Sequence, residues 1–500
     1  MASELPLHRV APIATDRDAT DVGLAETTSS GNSLDDGAPT PPATARPEPL
    51  FGAALVVMTA LVTLKDWAPS TGAGLGAAWI VPLVVALLAW RLRGRRLGFV
   101  VVALIVTAAL WMQGGDWAAR VQAGLGSAAF IGGFFVALAT LRSAAETSPA
   151  IRACGRYLAA QPPGRRYLAL TLGGQAFSVL LNYGSIALLG SLSVASSARE
   201  KDPEIRFHRT RRMLLAIQRG FVSVLPWSPL SFSVAITGAL LPAAPYKATV
   251  LPALVTGLIV AGTGWAMDQI FKPKLTRTPV RHSPEGGPGA VLPLVLLLAL
   301  LGVPVWLLHV AFEVRVVGAV LLVVPLLALG WVVLQEGARG AVRRAGRYTA
   351  RELPRYRPEL TLLMMAGYIG TAGAGVLAPH VAEFAPLIEA LPGPLILGLL
   401  VWFIPVTGQL GMNPILAVTL LFPLLPAPET MGVSPVALFI AITAGWALSG
   451  ITSPFTATTL LTGNFAGKSA LHVGLKWNGA YALVTGTLLT LWAVGFGLWS

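Results

Sequence analysis

Apolar residues run along this chain in blocks of about 17 to 25 from residue 50 onward, the length an α-helix needs to cross a hydrocarbon core of about 30 Å. The blocks lack the two-residue alternation of barrel strands. Backbone hydrogen bonds must also close internally in lipid, so the pattern predicts an all-α membrane protein. Two blocks do not fit a single crossing. Residues 167–195 are broken by Asn182-Tyr183-Gly184-Ser185, and residues 394–425 are broken between Gln409 and Pro414. Each is too long for one span and has a turn-like centre, so each is expected to form a re-entrant hairpin. Two further blocks, 213–242 and 435–463, carry a Ser-Pro step inside an apolar run, at Ser228-Pro229 and Ser453-Pro454. These are expected to be broken helices.

Charge fixes the orientation. The chain has 500 residues, a net charge of +13, and only 12% charged against 54% hydrophobic residues. Five segments (91–96, 142–166, 199–212, 272–281 and 339–357) hold 26 of its 36 Lys and Arg. Basic residues gathered in short loops are the positive-inside signature, so a nucleic-acid partner is not expected and these loops belong in the cytoplasm. Loops 142–166 and 199–212 are both basic, although only one apolar block separates them. A hairpin that enters and leaves on the cytoplasmic side resolves the conflict. The second hairpin has no Lys or Arg at either flank and should open outward. The count then closes at eleven crossings and two hairpins, with the N-terminus inside and the C-terminus outside an inner membrane. Residues 1–49, rich in Asp, Thr, Ser, Ala and Pro, read as a disordered cytoplasmic tail rather than a cleaved signal.

The Ser-Pro steps lie in related segments. Residues 220–238 (GFVSVLPWSPLSFSVAITG) align without gaps on 445–463 (GWALSGITSPFTATTLLTG), with five identities in 19 positions at a constant offset of 225. A hairpin with an asparagine at its tip precedes each segment. The organisation expected is therefore N-terminal scaffold helices at 50–123, a first repeat at 124–271, linking scaffold helices at 290–334 and a second repeat at 360–499. By the charge rule the two repeats have inverted topology, the arrangement that points to a secondary transporter with a midplane site. Before the hairpins, 148–160 and 380–391 are expected to form short amphipathic helices lying along opposite membrane surfaces.

Paired hairpins, each followed some 40 to 50 residues later by a Ser-Pro or Thr-Pro break, resemble the ion transporter superfamily. In layout the chain is similar to its divalent anion:sodium symporter branch of dicarboxylate and citrate carriers. That branch carries Ser-Asn-Thr at both hairpin tips, and here only Asn182 and Asn413 carry over. The resemblance implies elevator-like transport, a homodimer formed by the scaffold, and Na⁺ as coupling ion.

The residue chemistry suits that reading. A proline removes an N–H and frees the carbonyl one turn back, which with nearby hydroxyls makes a hard-oxygen site for a small cation. Ser228, Pro229, Thr452, Ser453 and Pro454 are the candidate cation-binding residues. Asn182, Ser185, Asn413 and Thr456 are the candidate substrate-binding residues, where hairpin-tip N–H groups and side-chain amides would meet a small organic or inorganic anion. Thr237 and Thr462 read as packing residues. The ionisable residues near the spans, Arg219, Asp268, His309, Glu313, His380 and Glu383, lie toward helix ends, which favours Na⁺ coupling or uncoupled exchange over a proton.

No enzymatic activity and no cofactor are expected. The single cysteine, Cys154, offers no disulfide or metal cluster. Residues 463–469 (GNFAGKS) are one residue short of a phosphate loop, and Ser449-Gly450 with His472 lacks the context of a serine nucleophile. The alternatives are a metalloid or oxyanion carrier, or a cation–proton antiporter of the same superfamily. An intramembrane enzyme would need a nucleophile–base pair or metal cluster at one depth, and a non-transporting scaffold would have no use for two polar breaks.

Overall fold

The structure is a computed structural model that describes residues 48–92, 94–146, 148–276 and 287–499. The expected N-terminal tail lies outside the described residues except for its last two positions, and so does part of the 272–281 basic segment. Every regular element among the described residues is helical. In chain order the α-helices are α1 (Pro49–Trp67), α2 (Ala73–Ala89), α3 (Arg95–Gln113), α4 (Trp117–Glu146), α5 (Pro149–Ala159), α6 (Arg166–Leu181), α7 (Gly184–Ala198), α8 (Pro203–Val224), α9 (Phe232–Leu240), α10 (Tyr246–Ile270), α11 (Leu292–Phe312), α12 (Val316–Arg347), α13 (Arg357–Val381), α14 (Ala385–Glu389), α15 (Gly393–Gln409), α16 (Pro414–Leu421), α17 (Pro435–Thr452), α18 (Ala457–Ala466) and α19 (Gly479–Trp499).

Among the described residues eight stretches are long and apolar enough to cross a membrane, and one of them, Val316–Val381, contains both α12 and α13. Burial sorts them into inner and outer helices. In the most apolar 18-residue window of Pro435–Ala466, 94% of the residues are buried, whereas the share is 17% in the α3 stretch Arg96–Gln113 and 22% in the corresponding window of the α11 stretch Pro288–Phe312. Leu104, Ile105, Trp111, Leu296, Leu300 and Trp306 all stand exposed on α3 and α11. A water-soluble chain does not present apolar faces of that extent, so the protein is an integral membrane protein whose peripheral helices face lipid.

Helix starts follow local chemistry. Pro49, Pro149, Pro203, Pro414 and Pro435 open their helices, where the missing N–H costs nothing. The Asp202 carboxylate accepts from the N–H groups of Glu204 (2.9 Å) and Ile205 (3.2 Å), so α8 starts ten residues before the position expected from hydropathy. The basic segment 199–212 is therefore mostly helix rather than loop. Similarly α12 runs on to Arg347 with a bend at Gly337 (φ 72°), so much of the 339–357 segment is helical too. Helix α5 matches its expectation, with Ile151, Cys154 and Leu158 buried on one face. Its expected counterpart at 380–391 does not form one amphipathic helix. It is divided between the end of α13, a short turn at Ala382–Phe384 and α14, where Pro386 stands at the second position, and Leu387 is 64% exposed.

The expected hairpin segments are two helix–turn–helix units, α6–α7 and α15–α16. Their arms of 16, 15, 17 and 8 residues are shorter than the roughly 20 a crossing needs. The first arm of each unit packs on the helix before a break, α6 on α8 and α15 on α17. Glycine makes both contacts possible. A side chain at Gly220 would run into the Thr171 carbonyl, and a Cβ at Gly445 would stand 2.9 Å from the Val401 carbonyl oxygen. The second arms cross over, α7 packing against α18 and α16 against α9.

Candidate functional site

Both Ser-Pro steps interrupt their helices as expected, and they do so with matching hydrogen bonds. Ser228 N–H donates to Val224 (3.0 Å) and Ser453 N–H to Ser449 (2.9 Å), the last α-helical bonds before each break. The Ser228 hydroxyl then accepts from Leu230 N–H and the Ser453 hydroxyl from Phe455 N–H, both at 3.3 Å. Three residues beyond each serine, Ser231 and Thr456 open the next half-helix with nearly the same backbone angles (φ −90°, ψ 143° and φ −84°, ψ 146°). Their hydroxyls donate back to the Ser228 and Ser453 carbonyls at 2.8 and 3.0 Å.

The expectation that proline leaves open carbonyls needs correcting. The carbonyl four residues before Pro229 is that of Leu225, and the Ser231 hydroxyl lies 2.8 Å from it, sharing its one proton between this carbonyl and that of Ser228. The carbonyl four residues before Pro454 is that of Gly450, and the Thr458 hydroxyl donates to it. Each freed carbonyl is capped by a hydroxyl from the far side of its own break, because an unpaired buried carbonyl is costly. The Ser453 carbonyl also takes the Thr459 hydroxyl at 2.6 Å. What the breaks offer an ion is therefore the remaining lone pairs of oxygens already in a network, not orphaned main-chain groups.

Among the named residues, Thr452 donates to Leu448 within its own helix (2.9 Å), and Ser453 donates across to the Gly408 carbonyl in α15 (2.7 Å). Ser231, Thr458, Thr459 and Gly408 were missed as parts of this network. The hydroxyls could have been found as helix caps following a proline step, but Gly408 carries no local signal. The two threonines read as packing, Thr237 and Thr462, are wholly buried, and their hydroxyls have no hydrogen-bond partner among the described residues. The hydroxyls of Ser233 and Ser449 are in the same position.

The hairpin tips differ in detail. Asn182 ends α6 with φ 50° and ψ −130°, a conformation rare outside glycine. Its carbonyl accepts from the Ser185 N–H (3.0 Å) and hydroxyl (2.7 Å), and Ser185 also lies 3.0 Å from the Ser178 hydroxyl. Ser185 is fully buried and serves the tip itself. Asn182 also lines a small cleft, which it shares with Arg142, Ser178, Tyr183, Leu230 and Tyr356. Asn413 uses its side-chain oxygen to cap α16, accepting from Ile415 N–H at 2.8 Å. Its amide NH₂ makes no hydrogen bond to the other described residues.

Arg142 was counted from sequence only as a loop charge. It lies near the Tyr356 ring, 5.6 Å from its centroid, and pairs with Glu146 at 2.7 Å. A Cβ at Gly184 would stand 3.1 Å from the Glu146 carboxylate. Thus the first hairpin tip, the residue after the first Ser-Pro step and Arg142 surround one cleft. Sequence spacing alone could not bring α4 to the tip.

No family model matches this chain, and no curated protein matches it. Among solved structures, the chain is similar to the YdaH transporter of Alcanivorax borkumensis, with a TM-score of 0.54 and 18% identity over 80% of this chain and 98% of that one. A second match is MtrF of Neisseria gonorrhoeae, described with a class of antimetabolite efflux pumps, at a TM-score of 0.43 and 14% identity over 90% of this chain and 96% of that one. The first establishes a shared fold.

Proposed function

We propose that this protein is a secondary transporter that moves a small anionic solute across the inner membrane, with Na⁺ as its coupling ion. One observation carries the reading. Two segments 225 residues apart interrupt their helices with the same hydrogen bonds, and each is packed against a helix–turn–helix too short to cross lipid. Matched interruptions of this kind are how membrane carriers build a binding site at depth, since irregular backbone there is tolerated only inside protein or beside a water-filled cavity. The fold shared with the YdaH transporter supports the same class.

On this reading residues 124–271 and 360–499 are inverted repeats, and α1–α4 and α11–α13 are scaffold that also forms a homodimer. The crossings number eleven, counting α2, the pair α8–α9 and both helices of the 316–381 stretch, with the N-terminus in the cytoplasm. Asn182 and Asn413 offer amides, and Arg142 a cation, to the anion. Ser228, Ser453, Thr456, Thr459 and the unpartnered hydroxyls offer oxygens to Na⁺. With α4 ending at Glu146 on the cytoplasmic side, the tip of the first hairpin stands level with that end.

The test is solute uptake into liposomes containing the purified protein, run with a panel of carboxylates and oxyanions, with and without a Na⁺ gradient. Uptake of one anion that rises with inward Na⁺ and falls at least tenfold in Asn182→Gly supports the assignment. Uptake of an anion indifferent to Na⁺ removes the cation site, and no uptake of any member removes the anion assignment.

A further inference from the structure

A second cavity lies between the turn that starts α6, the first turns of α8 and the chain leaving α10. The charged and titratable residues lining it are Arg166, Tyr167, Glu200, His208, Arg209 and Arg212. Arg212 is spent in a two-pronged pair with Asp268 at 2.7 and 2.6 Å. The other two arginines are not neutralised in this way. Arg166 donates its Nε to the Gln161 carbonyl at 2.6 Å, and the positive charges of Arg209 and Arg212 both bear on it. Arg209 donates to the Ser196 hydroxyl at 2.9 Å, while its Nε is buried with no acceptor among the described residues. Glu200 opposes Arg209. Behind the wall, Arg219 donates to the Tyr167 hydroxyl at 3.0 Å and packs over the Tyr481 ring at 4.0 Å, adding another cation.

Like charges crowded round a concavity repel one another, and a buried guanidinium N–H without an acceptor loses its hydration for nothing in return. An anion with several oxygens relieves both at once, and the planar guanidinium fork matches phosphate geometry. We propose that this cavity is a binding site for a phosphate group, held by Arg166 and Arg209 at the base of the first helix–turn–helix and separate from the cleft at its tip. Because the site joins the start of α6 to α8, its occupancy ties that base down. The group could be free phosphate or the headgroup of an anionic phospholipid, and the chemistry is shared. The inference does not depend on which solute is transported.

The test uses the full-length purified protein and thermal unfolding at constant ionic strength. One arm titrates inorganic phosphate against chloride in a neutral detergent. The other compares nanodiscs of phosphatidylcholine with nanodiscs containing phosphatidylglycerol. Arg166→Gln and Arg209→Gln are each measured beside Arg343→Gln, an exposed arginine elsewhere. A saturable rise in Tm in either arm, weakened at least fivefold by both cavity variants and kept by Arg343→Gln, supports the site and identifies its source. No shift in either arm, or one that survives both cavity substitutions, overturns it. If the glutamine variants do not fold, Arg166→Lys and Arg209→Lys keep the charge and lose the fork. Weakened phosphate or headgroup binding in them supports the proposal, and binding equal to wild type overturns it.

Discussion

The Ser453 hydroxyl donates to the Gly408 carbonyl across 2.7 Å, tying the second break to the first arm of the second helix–turn–helix. The contact is close because Gly408 has no side chain. A Cβ there would stand 2.6 Å from the Ser449 Oγ and 3.2 Å from the Ser453 Cβ. Gly408→Ala should therefore destabilise the protein by about 1–3 kcal/mol through overpacking. Ser453→Ala should cost less, about 0.5–1.5 kcal/mol for one lost hydrogen bond, because the Gly408 carbonyl still accepts from the Gly411 N–H at 3.3 Å. Ser449→Ala is the contrast. Its hydroxyl has no partner, so Tm should hold or rise, and on the proposed function only the Na⁺ dependence of transport should weaken. Thermal unfolding of the three variants with and without Na⁺ separates these outcomes.

The hydroxyls that cap proline-freed carbonyls make a second prediction. Ser231→Ala uncovers the Leu225 carbonyl and Thr458→Val uncovers that of Gly450. Each should lower stability by about 1–3 kcal/mol. Thr237→Val and Thr462→Val, nearly the same size as the wild type, remove hydroxyls that bond nothing and should be neutral or stabilising. If all four variants unfold at the wild-type temperature, the caps carry no energy and the matched geometry of the breaks is incidental.

Asn182 separates backbone need from side-chain need. Its φ of 50° is strained for most residues but free for glycine. Asn182→Ala should lose about 1 kcal/mol or more from that strain. Asn182→Gly should fold as well as the wild type while losing the side-chain amide of a residue that lines the cleft. Normal Tm with lost uptake in the glycine variant assigns the amide to the solute. Normal Tm with normal uptake confines Asn182 to shaping the turn.

Much of this was legible in the chain. Apolar block length and the Ser-Pro steps located the short-armed units and both breaks. Proline and asparagine act on their own neighbourhood and leave a local mark. The start of α8 was also legible, in Asp202-Pro203, but the basic residues of its first turns disguised helix as loop. What the sequence could not yield was contact between distant elements. Arg142 meets the tip at Gly184 only through the packing of α4, and Ser453 meets Gly408 only because α15 lies against α17. The capping of the freed carbonyls was missed for a related reason. Sequence shows that a proline frees a carbonyl but not whether a hydroxyl six or eight residues on can reach back to it.

The topology itself can be tested through Cys154. This one thiol is fully buried in α5, and burial pushes its pKa from the usual 9 up to about 11. The direction matters, since burial disfavours the thiolate, so at pH 8 the reactive fraction falls by about a hundredfold before shielding is counted. Maleimide should therefore leave the native protein unlabelled at pH 8, label it slowly as pH rises toward 11, and label it fully once it is unfolded. Labelling of native protein at pH 7 would show that α5 exposes its apolar face. With Cys154 silent, single cysteines placed at Ala187 and Leu420 report on the two short-armed units without further engineering. An impermeant maleimide should reach Leu420→Cys from outside intact cells and Ala187→Cys only after the membrane is opened, as inverted repeats require. Labelling of both from one side would make the repeats parallel and remove the two-sided site on which the proposed transport rests.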